Sequence, residues 1–443
     1  QRQMCIRDRL YIVAFSLAFA TTGIAQNNEG QDKVIDLGTQ TTTELRKTQA
    51  VSTIYSDELD KNATTSPYNA IYGLLPGLSV MQNTSWGTDK SRLNVRGRGS
   101  LNGDTPLFVV DGFARPLEYI NLSEIESISV LKDGAATALW GGRGANGVVL
   151  ITTKRGIYNQ KDIKVDYKFG LGLPVNQPEF ADAYTYAKAR NEALRYDGLQ
   201  PDMDEASFLS GGNSDLYPNV DWQKEALRNH TTSHQLDITF RGGGKRLRYF
   251  SVLNYKNDMG LLNSKYTDYT DRYNSQMKKY FLNLRMNLDV DITDATKLKL
   301  SMLGMLRETK RPTTSEATLF EQIFNTPSAA FPVQTQNGFW GSNNVLKTNP
   351  IANLADVGYY KLNQRMLQAD LRLVQDLSVL TRGLSAELAI AYDNNATYQE
   401  TAKKSFMYQT IEKGIDGEPI YTNYGNPNDE REISNEGSAT QYI

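Results

Sequence analysis

Four glycines within seven residues, Gly141, Gly142, Gly144 and Gly147, form a stretch that could wrap a phosphate. A phosphate cradle of the P-loop kind runs strand, G-x-x-x-x-G-K-[ST], helix, so that backbone N–H groups and a helix N-terminus face the anion. Here the glycines follow a helix-forming segment, Ala135–Trp140, and precede a strand, and no Lys-Ser or Lys-Thr closes them. Nucleotide binding fails on that order. What remains is a backbone able to take positive φ and to pack tightly, with Asn146 shaping the turn. His230 and His234 lie four apart where a loop enters a strand; two imidazoles without cysteine or acidic company read as surface residues, not as a metal site. Cys5 is the single cysteine, so it forms no internal disulfide, and it precedes the apolar segment, so it is no lipoprotein cysteine. Carboxylates abound, but no nucleophile–base–acid set stands out. Neither catalysis nor a cofactor is expected.

These residues sit on recognisable elements. Ile128–Leu131 is a short β-rich run closed by the turn tripeptide Lys132-Asp133-Gly134. Helix formers, the glycine turn and a buried strand, Val148–Thr153, follow, and the unit stops at Lys154-Arg155-Gly156. At the N-terminus, Arg7 and Arg9 precede an apolar run, Leu10–Ala20, and then Gly23-Ile24-Ala25. That is a basic region, a short apolar region and small residues before a cleavage point ahead of Gln26, an export signal too short to span a membrane. The nine residues QRQMCIRDR do not read as a native start, whereas Met4 does.

From Ile163 the pattern changes to period 2. Val165, Tyr167, Phe169, Leu171 and Leu173 alternate with Lys164, Asp166, Lys168, Gly170 and Gly172, and Leu282, Leu284, Met286, Leu288, Val290 and Ile292 with Asn283, Arg285, Asn287, Asp289 and Asp291. Leu384, Ala386, Leu388, Ile390 and Tyr392 make a third such run, and His234–Arg241, Leu247–Tyr255, Leu298–Arg307, Leu367–Leu377 and Thr397–Met407 complete eight strand candidates. Each run has one apolar and one wet face, as in a membrane barrel or in a soluble sandwich. Ala181–Tyr196 interrupts with helical spacing, and Arg311–Lys361 reads as a long loop. A net charge of −2 gives no reason to expect nucleic acid, and a mean hydropathy of −0.50 is too polar for a helical membrane protein.

The segment Ile125–Gly156 resembles the end of the plug domain of TonB-dependent outer-membrane transporters, in the SusC/RagA form. Tyr68–Val80 is similar to that family's L-x-G-x-V-x-G-V segment, Leu93–Ser100 to its I-R-G-x-G-S element, and Pro106–Gly112 to its P-L-Y-V-V-D-G. Ile120–Ile125 resembles its I-N-x-x-D-I-E helix, with Glu124 in the Asp position. The plug-motif residues are then Arg96, Gly97, Gly99, Ser100, Asp111, Gly112, Lys132, Asp133, Gly141, Arg143, Gly144, Asn146, Gly147, Arg155 and Gly156. The resemblance implies an all-β transmembrane antiparallel barrel of about 22 strands with an N-terminal α/β plug in its lumen. It divides the chain into a signal peptide (1–25), a periplasmic segment (26–47), the plug (48–157) and the first part of the barrel (158–443). Asp32, Lys33, Val34, Ile35, Asp36 and Leu37 fall where the family carries its TonB box, an extended peptide that adds as a strand to the energy-transducing protein.

Such a protein imports an oligosaccharide or oligopeptide across the outer membrane, with a SusD-like lipoprotein outside and TonB, driven by ExbB–ExbD, inside. A siderophore or cobalamin receptor is the alternative within the class, and a passive pore or adhesin the alternative outside it. A plug that is stable at rest yet yields to force calls for charge-paired contacts, so Arg96, Arg98, Arg143, Lys154 and Arg155 are candidates to pair with acids lining the lumen. Eight strands cannot close a barrel of about 22, and an open edge is costly in hydrocarbon, so the sequence is expected to be the N-terminal part of a longer protein.

Overall fold

The computed structural model describes residues 34–36, 41–43, 48–59, 61, 64, 66–82, 91–100, 103–175, 177–268, 273–425 and 431–442. The expected signal peptide, Cys5, Asp32, Lys33 and Leu37 lie outside them. The described residues begin with a two-strand ribbon, β1 (Val34–Asp36) antiparallel to β2 (Thr41–Thr43), with Val34 opposite Thr43.

A small α/β unit follows: β3 (Val51–Tyr55), α1 (Ser56–Leu59), α2 (Pro67–Ala70), β4 (Leu78–Met81), β5 (Arg92–Val95), β6 (Leu107–Val110), β7 (Phe113–Ala114), β8 (Ile125–Leu131), α3 (Gly134–Thr137) and β9 (Val148–Thr153). Five of these strands form one sheet in the order β3-β8-β9-β6-β7, with β6 and β9 parallel, and β4 and β5 pair separately. The unbroken apolar run of β9 reflects burial on both faces. Val149 and Ile151 join the core around Ile54, Ile128 and Val130, whereas Val148 and Leu150 join Val51, Val109 and Ala136 on the other side. The helix expected over Ala135–Trp140 is only one turn long, and residues 138–144 continue as a 3-10 helix broken at Gly141, whose φ of 54° and ψ of −149° interrupt the helical path. The glycine's freedom thus acts inside the helical segment, not after it.

The rest of the chain builds an open eight-stranded sheet. Its strands are β10 (Lys161–Gly172), β11 (Thr231–Gly243), β12 (Leu247–Met259), β13 (Lys278–Asp291) and β14 (Thr296–Pro312), then, beyond a short loop strand β15 (Trp340–Ser342), β16 (Gly358–Asp376) and β17 (Ser385–Lys404), and, beyond the loop hairpin of β18 (Met407–Lys413) and β19 (Pro419–Gly425), β20 (Arg431–Tyr442). All seven pairings are antiparallel between neighbours in this order, an up-and-down meander. Leu384–Tyr392 and Thr397–Met407, expected as two strands, are one strand of 20 residues, because Asp393 and Asn395 keep the alternation going with polar side chains. The sequence pattern gives no sign of β20, whose run REISNEGSATQY lacks apolar alternation; it forms by pairing along β17.

Connections at one end of the sheet are short, spanning 244–246, 292–295 and 377–384. At the other end they are long and structured, with α4 (Ala183–Tyr196), α5 (Glu205–Ser210), α6 (Trp222–Ala226), α7 (Ser264–Thr267), α8 (Glu316–Asn325) and α9 (Pro350–Ala355). These long segments share one apolar core, including Trp222, Leu262, Leu319, Phe331, Trp340 and Leu354. The stretch 311–361, expected as one irregular loop, contains two helices and a strand as well as the ends of β14 and β16.

The sheet is inside out by the standards of a soluble protein. Along β13, Leu282, Leu284 and Met286 are 40%, 47% and 37% exposed, while Asn283, Arg285 and Asn287 are 0%, 2% and 1% exposed. The polar face is the covered one, because the α/β unit sits against it. A soluble sandwich would bury the leucines; an exposed face of this kind suits hydrocarbon.

Candidate functional site

The interface between the α/β unit and the polar face of the sheet concentrates the charged chemistry of the molecule. Its deepest pair is Glu124, fully buried, with the Arg285 Nε at 2.5 Å. Glu124 ends a 3-10 turn capped by Asn121, whose side chain accepts from the Ser123 N–H while Glu124 reaches back to the Asn121 N–H. Asn283 also donates to the Glu124 carboxylate. Burial pushes the Glu124 carboxyl up, and Arg285 with the amide donors works against that rise.

Arg115 forms a second anchor. Its guanidinium, 3% exposed, grips Asp370 of β16 and Asp393 of β17, with the Nη1 donating to Asp370 at 2.6 Å and the Nε to Asp393 at 3.0 Å. Burial opposes the charge, but the two carboxylates more than offset it and raise the guanidinium pKa. Arg155 makes a third, donating to Asp289 at 2.8 Å and to Ser301 at 2.9 Å, with Arg248 at 3.2 Å from the same Asp289. The sheet donates in the opposite direction too: Arg307 to the Glu118 carbonyl at 2.6 Å, Arg372 to the Asp111 carbonyl at 2.9 Å and Arg241 to the Arg155 carbonyl at 2.7 Å. Tyr119, Phe281, Leu303, Met305 and Met366 add one small apolar patch. Arg285 Nη2, Asn283 Oδ1 and Asn287 Oδ1 are buried without a hydrogen-bond partner among the described residues. The contact is polar.

The plug-motif residues divide by what they touch. Asp111, at φ 47°, accepts from the Thr153 N–H at 3.0 Å and hydroxyl at 2.6 Å, tying the turn after β6 to the end of β9. A Cβ on Gly112 would stand 2.8 Å from the Arg372 guanidinium, so this turn is also the notch that receives the sheet. Lys132 donates to Ser52 and to the Pro76 carbonyl, across Gly77. Asp133 caps α3 through the Ala136 N–H and accepts from the Ala50 N–H at 2.8 Å, and the Ala50 contact, ahead of Ala136 and the nearby Arg96, holds its carboxyl below the usual range. Gly147 packs where a Cβ would meet Val95 at 2.7 Å, Gly144 packs against the Thr137 carbonyl, and Asn146 donates to the Gly103 carbonyl. Gly156 is where the chain leaves for the sheet: a Cβ there would lie 2.3 Å from the Tyr249 nitrogen and 2.6 Å from the Gly242 oxygen. Gly97, Gly99 and Ser100 are exposed, and Gly97 sits at φ 85°.

Of the five cations proposed to pair with lumen acids, the structure brings Arg155 to a sheet carboxylate. Arg98 instead meets Asp104 of its own unit at 2.9 Å, beside Arg92 at 2.9 Å, and Arg92 with Arg98 holds the Asp104 carboxyl below the usual range. Arg143 is exposed, Arg96 lies in the turn after β5 at φ 57°, and Lys154 offers its carbonyl to Asn287. Sequence reasoning missed Arg115, Asp370 and Asp393 altogether. Asp370 was findable as a polar inward position within the Leu367–Leu377 run. His234 meets the Tyr167 hydroxyl at 2.8 Å, and among the described residues no group of three His, Cys, Asp or Glu is placed to hold a metal.

A compact α/β unit docked by ion pairs on the polar face of an apolar-skinned meander has the architecture of a plug against part of a barrel wall. Residues 43–148 match the TonB-dependent receptor plug domain family. The chain is 30% identical over 283 residues to the TonB-dependent receptor SusC of Bacteroides thetaiotaomicron, and 28% identical over 281 residues to the TonB-dependent receptor P26 of Formosa agariphila. Those alignments take in 60% and 62% of this chain and 26% of either relative. Among solved structures, the RagAB peptide importer in its open-open state superposes with a TM-score of 0.67 at 19% identity, over 84% of this chain and 43% of that one. Residues 43–148 are thus a TonB-dependent receptor plug domain, and the plug with the strands that follow it is similar in sequence to SusC and in fold to the RagAB importer.

Proposed function

We propose that the receptor imports a nutrient, an oligosaccharide or an oligopeptide, across the bacterial outer membrane, with a SusD-like lipoprotein at its outer face. The observation that carries this is the polar, doubly charged seam between plug and sheet. A seam of hydrogen bonds and ion pairs holds at rest, and its bonds can be exchanged for water one at a time under load. A dry apolar seal would instead have to expose its whole area. The structured long connections lie outside, where a lipoprotein would cap them, and the short turns face the periplasm. Residues 32–37 act as the TonB box. The structure places Val34–Asp36 in a strand whose described pairing partner is β2, so its second edge is open for strand addition among the described residues. Catalysis has no part in this role.

The test is removal of residues 32–37 from the receptor expressed in its host, with uptake of labelled oligosaccharides and oligopeptides followed in parallel. Uptake should vanish while the receptor still reaches the outer membrane. Undiminished uptake would turn the reading toward a passive pore.

A further inference from the structure

The outward face carries a second pattern near the end with the long connections. The strand register sets Lys278 of β13 opposite Lys310 of β14, Lys310 opposite Lys361 of β16, and Lys361 opposite Glu400 of β17. Three lysines on adjacent strands, roughly 4.8 Å apart, repel one another and weaken the sheet unless something neutralises them. Glu308, in the next outward row, reaches Lys310 at 3.5 Å and Lys361 at 3.3 Å, and Glu400 is engaged by the Tyr359 hydroxyl. Outward Arg365 adds a fourth cation against those two carboxylates, so the patch keeps a positive surplus.

Directly below lies a groove of about 400 Å³, lined by Leu253, Leu282, Leu284, Leu306 and Leu367 around Gly304. A Cβ on Gly304 would meet nothing within 4 Å, so the missing side chain is itself the dent in the leucine face. Gly304 is six residues down the strand from Lys310, roughly 20 Å. Tyr280 and Tyr398 lie in the row of Glu308, between the lysines and the groove, at the level where amphipathic rings mark a membrane interface. Arg365, in the row of Leu306, can run its stem along the groove and lift its head toward the lysines.

We propose that this face is a binding site for a phosphorylated lipid of the outer leaflet. Its phosphate rests on Lys278, Lys310, Lys361 and Arg365, and an acyl chain fills the groove at Gly304. Cations stacked above an apolar slot match an amphiphile held upright, and charge complementarity selects the anionic headgroup. The proposal rests on the membrane placement given above but not on transport.

The experiment is native mass spectrometry of the delipidated, detergent-solubilised receptor with three probes: bis-phosphorylated lipid A, the same lipid enzymatically dephosphorylated, and inorganic phosphate. The phosphorylated lipid should bind the wild type at least about tenfold more tightly than its dephosphorylated form, and Lys278→Gln/Lys310→Gln/Lys361→Gln should remove that preference. Gly304→Leu should weaken the lipid while leaving the preference for phosphate intact. Equal binding of the two lipids to the wild type, or an unchanged preference in the triple variant, overturns the site. Displacement of the lipid by equimolar inorganic phosphate overturns the acyl half. Heat-modifiable migration of each variant reports barrel assembly separately, and the wild-type comparison needs no variant at all.

Discussion

Arg115 shows how much one side chain can carry. It bridges two carboxylates from neighbouring strands, Asp370 and Asp393, in a place where it and Asp370 are buried. Removing one partner of a buried ion pair leaves uncompensated charge and costs about 3–5 kcal/mol. Arg115→Ala should therefore loosen the plug, read as faster amide exchange in β6 and β7, and adding Asp370→Asn and Asp393→Asn should restore much of the protection. Retained protection in Arg115→Ala would mean the pair adds nothing to docking. Gly156→Ala should fail for a different reason, because backbone atoms at 2.3 Å and 2.6 Å cannot step aside. Loss of the heat-modifiable form is expected there, whereas Gly99→Ala, with nothing within 4 Å, should change stability by no more than about 0.5 kcal/mol.

At the scale of elements, α3 depends on its cap. The Asp133 carboxyl is held low, so its stabilisation is fully present above the ordinary carboxylate value of 3.8 and is lost as pH falls toward its lower folded value. The wild type should exceed Asp133→Asn in urea stability at neutral pH, and the gap should close on acidification below 3.8. A gap that widens in acid would reverse the sign and refute the assignment. The elements themselves were unevenly legible. The runs at 163–173 and 282–292 announced strands because apolar side chains alternate without interruption. β20 did not, because there the alternation is between polar residues of different kinds and only pairing distinguishes them. The wet face of β13 could be read from Asn283, Arg285, Asn287 and Asp289, but its partner could not. That Arg285 meets Glu124 depends on contacts 161 residues apart in sequence. Arg115 follows a two-residue strand with no pattern around it, so nothing local marked it as an anchor.

At the scale of the whole molecule, the outward leucines decide where the chain can live. Leu284 lies near the middle of the apolar band, and an arginine there should cost about 2–4 kcal/mol of insertion. Leu284→Arg should lower the folded fraction in a bilayer refolding titration and leave the plug contacts of Arg285 untouched. An unchanged titration would place that face in water.

The ion pairs and hydrogen bonds from the plug to the sheet described above run from Asp111 to Arg155, in the later part of the plug. Within the plug sheet, the strand nearest the N-terminus, β3, is an edge, held along one side by β8 over five residues. Under the pull proposed above, β3 is the first strand of the plug sheet to bear load. Antiparallel pairs loaded at one end open rung by rung like a zip, while the ion-paired seam behind them stays bolted to the wall. In the proposed import cycle the plug is then a tether with a fuse on the pulled side and its anchor at the far end.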